Sequence, residues 1–516
     1  MSPWWRCKQE KETIVATVYA DYTRDRTGLF FGLSGGQLIT LVVAGAPALW
    51  AFQRQEWAAV VGLVLAWLVV LALVAIPIRG RSATGWLVAS AAHLVGMTLR
   101  WSRWRSKAAT GRGEDLAEPD LPGVVAGISV HDGPPQGPTN TRVAIIQDHP
   151  NRLWAATAAI THPGLALADS TERDAQARGL TTLLNACART ELISEVLFLV
   201  RSVPEDGAER DQWLTRHQPA TAPALARAVN EQLAATLSQA SVRTEAFCTI
   251  VVPEDRLARE AREFGRGVDA RARAMAMLMA EVEAQLRTGM RIGTVTWLTS
   301  PQLAVAVRTG FAPGDRAGIV DALAARDTGA DVNAEVPWSQ AGPSGADLTV
   351  RHYSHDAWHS TSATLKLPAR GAVLGALAPV LVPTEPGERR SMAVVFPILA
   401  QSVADRQTQN AEWSADMAET LRSRAGVKTR AKDQTVIART RGLDAKLATG
   451  NALIRPYAVA CVTVPRTLRI AEFGRRLDAS IRRAGFAPLR LDLAQDAGFA
   501  AANLPLGIGL DRKADQ

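Results

Sequence analysis

The densest polar constellation in the chain is Arg351-His352-Tyr353-Ser354-His355-Asp356-Ala357-Trp358-His359. On a helix His355 and His359 would share a face and His352 would lie nearby, a geometry suited to zinc. The flanks Leu348-Thr349-Val350 and Thr361–Leu367 favour extended chain instead. In a strand, three histidines at these spacings do not converge on one face. They read as structural or loop histidines, and no metal is expected.

Other signatures of catalysis are weak. Gly32-Leu33-Ser34-Gly35-Gly36 fits the G-x-S-x-G pattern, but a nucleophile elbow needs a strand before it and a helix after it in a water-accessible sheet. Here it stands at the mouth of an apolar run, and close backbone packing explains the glycines better than catalysis by Ser34. No Gly-Lys dipeptide occurs anywhere, so there is no G-x-x-x-x-G-K-[ST] cradle for a nucleotide. H-E-x-x-H is also absent. Cys7, Cys187, Cys248 and Cys461 are scattered without a C-x-x-C pair, which suggests neither a disulfide framework nor a zinc site. The chain is expected to be no enzyme and to carry no cofactor.

The elements that would position these residues begin with two uncharged apolar runs, Thr27–Gln53 and Trp57–Ile78, joined by Arg54-Gln55-Glu56. A hydrocarbon core takes about 20 apolar residues to cross, and a secretory signal is a single shorter stretch. The runs therefore predict a transmembrane hairpin, in which Pro47 is tolerable. Basic residues flank it on both sides: Arg6, Lys8, Lys11, Arg24 and Arg26 before, and Arg79, Arg81, Arg100, Arg103, Arg105, Lys107 and Arg112 after. By the positive-inside rule both termini are cytoplasmic, and the expected localisation is a multi-pass inner-membrane protein.

Arg79–Arg112 holds seven basic residues and no acidic one, which is most of the formal net charge of +8. Within it, Trp101-Ser102-Arg103-Trp104-Arg105-Ser106-Lys107 interleaves aromatics with cations. Such a stretch suits an anchor on anionic lipid and, less well, a single-strand nucleic-acid surface. Arg79, Arg81, Trp101, Arg103, Trp104, Arg105 and Lys107 are the expected membrane-surface anchor. Gly85–Leu99 is short for a span and reads as a helix at the interface or against the hairpin.

The expected organisation is an N-terminal cytoplasmic segment (1–26), the hairpin (27–78), a basic juxtamembrane segment (79–112), a Gly/Pro-rich linker with a short strand at Gly123–Val130 (113–140), and a cytoplasmic α+β region of two lobes (141–516). Within the last, Thr141–Gln147 and Arg152–Thr161 read as strands paired across His149-Pro150-Asn151. Ser170–Ala188, Pro219–Ser241, Arg256–Leu286 and Ala404–Ala425 read as helices. Strands are expected at Leu192–Val203, Ala246–Pro253, Thr361–Leu367 and Met392–Ile398. Phe247–Arg266 and Ala460–Arg475 share a strand closing in Val-Pro and a helix opening toward Glu-Phe-Gly-Arg. The match needs a gap, so two related strand–helix units and chance similarity both stay open.

Arg24–Trp50, with Phe-Gly-Leu before Gln-Leu and a second apolar run behind, resembles the PrgI/TrbD type of small inner-membrane subunit of conjugative type IV secretion. Further on, Phe198–Trp213, Trp358–Pro383 and Gln495–Gly507 (QDAGFAAANLPLG) resemble the N-terminal, non-ATPase part of the CagE/TrbE conjugation ATPases. The last segment is similar to the passage that shortly precedes the ATPase domain in those proteins. The resemblance implies a non-catalytic, oligomeric inner-membrane subunit that docks a separate TrbE-like ATPase beside other channel subunits. The Ala- and Arg-rich usage suggests an actinobacterial source. The EccE component of type VII secretion has the same topology and is the rival. Two other classes are a hydrolase acting through Ser34 or the histidines, and nucleic-acid binding through Arg103 and Arg105 or through Arg422, Arg424, Lys428, Arg430 and Lys432, which would weaken steeply with salt.

Overall fold

The computed structural model describes residues 35–75, 77–78, 81–99, 102–112, 115–162, 164, 169–219, 221–240, 242–366, 375–399, 452–454 and 456–510. The chain divides into two compact units, one holding Val18–Val95 and Leu399–Ile454, the other Gly96–Ile398 and Arg455–Gln516 together with Met1–Thr17. Ser34, the Ala404–Ala425 helix and the basic run 422–432 lie outside the described residues, as do Arg79 and Trp101.

In the first unit, helices α1 (Gly35–Gln53) and α2 (Trp57–Ala75) fold back on each other. Gln55 turns the connector at φ 56°. Trp67 Nε1 donates to the Leu41 carbonyl at 2.9 Å, and a Cβ on Gly45 would stand 3.2 Å from the same indole nitrogen, so the small residue admits the ring. Outward-facing Val42, Leu49, Val61, Leu65 and Val69 stay exposed. Strands β1 (Pro77–Ile78) and β2 (Arg81–Ser82) pair antiparallel before α3 (Ala83–Thr98).

The hairpin is thus present as a pair of helices, but each is shorter than the run that foretold it. Nineteen residues reach about 28 Å at 1.5 Å per residue, against about 30 Å of hydrocarbon. Among the described residues no helix is long and apolar enough to cross a membrane. The expected transmembrane hairpin and the multi-pass inner-membrane localisation with both termini cytoplasmic are corrected on that finding.

The second unit is an α+β body around one 13-stranded sheet whose pairs are all antiparallel. Its strands are β3 (Arg103–Arg105), β4 (Ile128–Gln136), β5 (Thr141–Asp148), β6 (Leu153–Thr161), β7 (Glu195–Pro204), β8 (Val242–Pro253), β9 (Thr294–Trp297), β10 (Gly345–Leu348), β11 (Tyr353–His355), β12 (Trp358–Lys366), β13 (Arg389–Pro397), β14 (Tyr457–Pro465) and β15 (Ala487–Arg490). The helices are α4 (Ser170–Arg189), α5 (Ala208–His217), α6 (Ala224–Ala240), α7 (Glu254–Glu260), α8 (Val268–Thr288), α9 (Ser300–Phe311), α10 (Arg316–Asp327), α11 (Trp338–Ala341), α12 (Ala378–Leu381), α13 (Ile470–Arg483) and α14 (Gln495–Asn503). The stretch read as a linker contributes β4, and the run read as one helix over 256–286 is interrupted at Gly265 and Gly267, whose φ values of 115° and 91° suit glycine alone.

The sheet runs β3-β10-β11-β12-β14-β13-β7-β8-β6-β5-β4, with β15 on β12 and β9 on β6. That order repeats itself. In β4–β9, β4 pairs β5, β5 pairs β6, β6 pairs both β8 and β9, and β7 pairs β8. In β10–β15, β10 pairs β11, β11 pairs β12, β12 pairs both β14 and β15, and β13 pairs β14. The halves meet where β7 pairs with its counterpart β13, antiparallel.

Matching hydrogen bonds extend the repeat into the connections. The Gly127 carbonyl accepts from His149 N–H as the Gly345 carbonyl does from Asp356. Arg152 accepts from Glu254 as Ala357 does from Arg466, and Thr157 from Leu298 as Ser362 does from Leu491. The Val-Pro endings of β8 and β14 are equivalent, since Pro253 faces Leu153 and Pro465 faces Trp358. The similarity between those two stretches therefore marks related strand–helix units.

Alternation sorts the chemistry of each face. On β12, Ala363 and Leu365 pack under Phe473, Leu477 and Ile481 of α13, each such burial contributing roughly 1.5–3 kcal/mol. Ser360 and Ser362, two apart, lie on the opposite face.

Candidate functional site

The face opposite α13 carries a buried polar layer, and His355 lies in it. His355, Ser360 and Thr463 are each 0 % exposed. His355 Nδ1 lies 2.7 Å from the Phe311 carbonyl and Nε2 lies 2.7 Å from Ser360 Oγ. Ser360 Oγ lies 2.7 Å from Thr463 Oγ1, which lies 3.4 Å from Arg389 Nη2.

Proton positions follow from the two ends. The carbonyl only accepts, so Nδ1 carries the hydrogen; a guanidinium only donates. Arg389 therefore donates to Thr463, Thr463 to Ser360, Ser360 to His355, and His355 to Phe311. A second proton on His355 would turn Ser360 round to donate to Thr463, which then accepts from both Ser360 and Arg389 and loses the acceptor for its own hydrogen. Burial foremost, then the charges of Arg389, His359 and Arg466, hold the imidazole well below its ordinary range, although the Phe311 carbonyl pulls the other way.

The distances match a serine–histidine nucleophile pair, but both groups are completely enclosed. They tie strands β11, β12 and β14 to the last residue of α9. His352 and His359 stand apart from His355 as a second pair, ring centroids 5.0 Å apart and nearly perpendicular. His359 Nδ1 is 2.9 Å from Ser354 Oγ. The hairpin thus splits the three histidines two and one, as strand geometry requires. Among the described residues no group of histidine, cysteine, aspartate and glutamate side chains could hold a metal.

Two arginines dominate the layer, and neither was singled out in the sequence. Arg389 donates to the carbonyls of Thr309 at 2.7 Å and Gly310 at 2.5 Å, so it caps carbonyls that α9 leaves without helical partners. Arg201 reaches the Ala306 carbonyl at 2.9 Å and the Asn503 carbonyl at 3.2 Å, joining α9 to the end of α14. It also pairs with Glu245 at 2.7 Å. Burial alone would raise the Glu245 carboxyl, but Arg201, Arg243, Arg389 and Arg316 outweigh that and hold it below the usual carboxylate range. Burial and the neighbouring Arg201 push Arg389 down; a guanidinium stays charged at neutral pH regardless.

The next residue along, Arg390, faces the other side of β13 and forms a fully buried pair with Glu388 at 2.5 Å. Glu388 also accepts from Thr384 N–H and Oγ–H at 2.6 and 2.7 Å. The sequence signal for these arginines was the charge itself, set inside Phe-Leu-Val-Arg-Ser-Val and Arg-Arg-Ser-Met-Ala-Val-Val, runs otherwise suited to a buried strand.

The layer also holds two arms that cross between the halves. The last turn of α9, Thr309–Phe311, lies on β11 and β13, through His355 and Arg389. Beyond α14, Leu504–Leu510 lies on the first half: Thr157 Oγ1 donates to the Pro505 carbonyl at 2.8 Å, and a Cβ on Gly507 would sit 3.0 Å from Ala155. Phe499 seals the centre against the rings of Phe311, Tyr353 and His355.

The residues expected as a membrane-surface anchor are divided between the two units. Arg103, Trp104 and Arg105 form β3, paired along the edge of β10 with Arg105 opposite Gly345. Arg105 meets Asp347 at 3.4 Å, and Lys107 meets Glu118 at 3.3 Å. Arg81 stands in the small β1–β2 pair of the other unit. Cys187 and Cys248 are free and buried; burial, with Glu281 adding, pushes the Cys187 thiol up to about 12, and burial raises Cys248 as well, so neither is a reactive thiolate at neutral pH. The chain matches no known family and no curated protein.

Proposed function

We propose that this chain is a non-catalytic assembly subunit of a secretion machine of the conjugative type, and that its α+β unit docks a separate TrbE-like ATPase. One observation carries the reading. The three separated segments that resemble the non-ATPase part of CagE/TrbE proteins meet in a single core. Phe198–Trp213 supplies the outer half of β7, Trp358–Pro383 supplies β12, and Gln495–Gly507 supplies α14 and its arm. Their contacts are direct: Gln495 Oε1 accepts from Ser362 N–H at 2.7 Å, and Arg201 donates to Asn503.

A core built from those segments is a rigid mount, because buried hydrogen bonds cross directly between them. The sequence of these 516 residues lacks the Gly-Lys cradle, and in this reading the nucleotide-driven motor is the TrbE-like ATPase that docks on it. The test is purification of the tagged full chain from its native host, with identification of bound partners. A TrbE-like ATPase that co-purifies, and is lost when Phe499→Ala loosens the core, is the expected result. Recovery of a type VII ATPase would transfer the docking role to that machine, and a folded chain that captures no ATPase would sink it.

A further inference from the structure

The repeat within the sheet supplies an internal control, because a feature present in only one half is not required by the fold. After Pro465 the second half runs through one continuous helix, α13, in which Glu472-Phe473-Gly474-Arg475 is helical throughout. After Pro253 the first half reaches the same four residue types, Glu263-Phe264-Gly265-Arg266, and breaks there. The break opens a cavity of about 630 Å³ lined by Arg262, Arg266 and Arg271, with Gly265, Gly267 and three alanines between them.

The charge in this cavity is unbalanced. Arg271 meets Glu254 at 3.3 Å and lies over the Trp154 ring at 5.4 Å, and Glu254 is already shared with Arg152. Among the described residues Arg262 and Arg266 join no ion pair, and no carboxylate lines the cavity. In the second half Arg476 pairs with Glu385 and Glu472, and Arg490 with Asp478. Arg262 and Arg266 stand exposed beside Arg271, and planar guanidinium forks fit phosphate oxygens bidentately.

We propose that this cavity binds a phosphate-bearing small molecule through Arg262, Arg266 and Arg271. The test is calorimetric titration of the full chain with inorganic pyrophosphate and, separately, with adenosine diphosphate, sodium sulfate serving as the control anion. Saturable binding of either phosphate compound, at least tenfold tighter than sulfate and weakened at least tenfold in the doubly substituted Arg262→Ala/Arg266→Ala chain at unchanged melting temperature, is expected. Tighter binding of the nucleotide than of pyrophosphate assigns a nucleotide, and equal binding assigns the polyphosphate group alone. Arg475→Ala, at the matching place in α13, is expected to change nothing. Binding no tighter than sulfate, or equal loss on Arg475→Ala, overturns the proposal.

Discussion

The two halves of the sheet share one strand order and settle three problems differently. The outer edge of β10 is covered by β3. The equivalent edge strand, β4, carries Pro134 and Pro135 and a register shift between Asp132 and Pro135, devices that discourage further pairing. The arm reaching the second half is held by Arg389 and a directed chain of hydroxyls; the arm reaching the first half is held by a threonine pair, with Arg201 at the Asn503 carbonyl where it begins. The helix after β14 is continuous, whereas the one after β8 breaks. A repeated topology therefore fixes where strands go and leaves edges, fastenings and cavities free to diverge.

The largest expected break in that comparison is Arg389→Ala. It strips the Thr309 and Gly310 carbonyls of a buried charged donor, and a loss of about 3–5 kcal/mol is expected by analogy with removal of one member of a buried pair. Thr157→Val, its counterpart on the other arm, removes a donor to Pro505 and a partner of Thr249 at 2.8 Å, and is expected to cost about 1–3 kcal/mol. Urea unfolding of both variants compares the arms directly; a Thr157→Val loss equal to that of Arg389→Ala would show that charge adds nothing to the fastening.

Acidification is expected to act through the second half. The folded His355 imidazole titrates well below its unfolded range near 6.5, so the unfolded chain binds the extra proton first. Its contribution is present above about pH 6.5 and declines as pH falls, by up to about 1.4 kcal/mol per pH unit for one proton. Burial lowers His352 and His359 as well, which adds to the same trend. His355→Gln is expected to flatten the slope of stability against pH between 5 and 6.5 by about one proton; an unchanged slope would remove His355 from the account.

The smallest contrast concerns glycine. Gly267→Ala is expected to cost about 1 kcal/mol for its positive φ alone, since a Cβ there meets nothing. In Gly474→Ala the Cβ would lie 2.6 Å from the Arg490 guanidinium, so that residue has to yield and its bond to Asp478 weakens. Melting curves that put the two substitutions in opposite order of effect by more than 2 °C with Gly474→Ala neutral would break this assignment.

Strands and helices with plain periodicity were legible in the sequence. The β5–β6 pair, α4, β8 and β13 fall within a few residues of their expected places, because alternation and apolar runs act locally. The break at Gly265–Gly267 was passed over within a long Ala/Arg/Met-rich stretch, although two glycines, three positions and one position before the helix at Val268, were its signal. The pairing of Arg103-Trp104-Arg105 with the edge of β10 was not legible, because cations beside aromatics carry no strand periodicity of their own.

What the sequence determined alone was its own local vocabulary: apolar runs, a basic stretch after them, strands ending in Val-Pro, and no nucleotide cradle. Tertiary structure decided which carbonyl each buried arginine meets, that His355 is a neutral link in a chain ending at Phe311, and that the two Glu-Phe-Gly-Arg stretches differ in shape. Those outcomes depend on partners some 44 to 302 residues away in sequence. Burial, charge balance and donor direction are properties of such pairings, which composition and spacing do not contain.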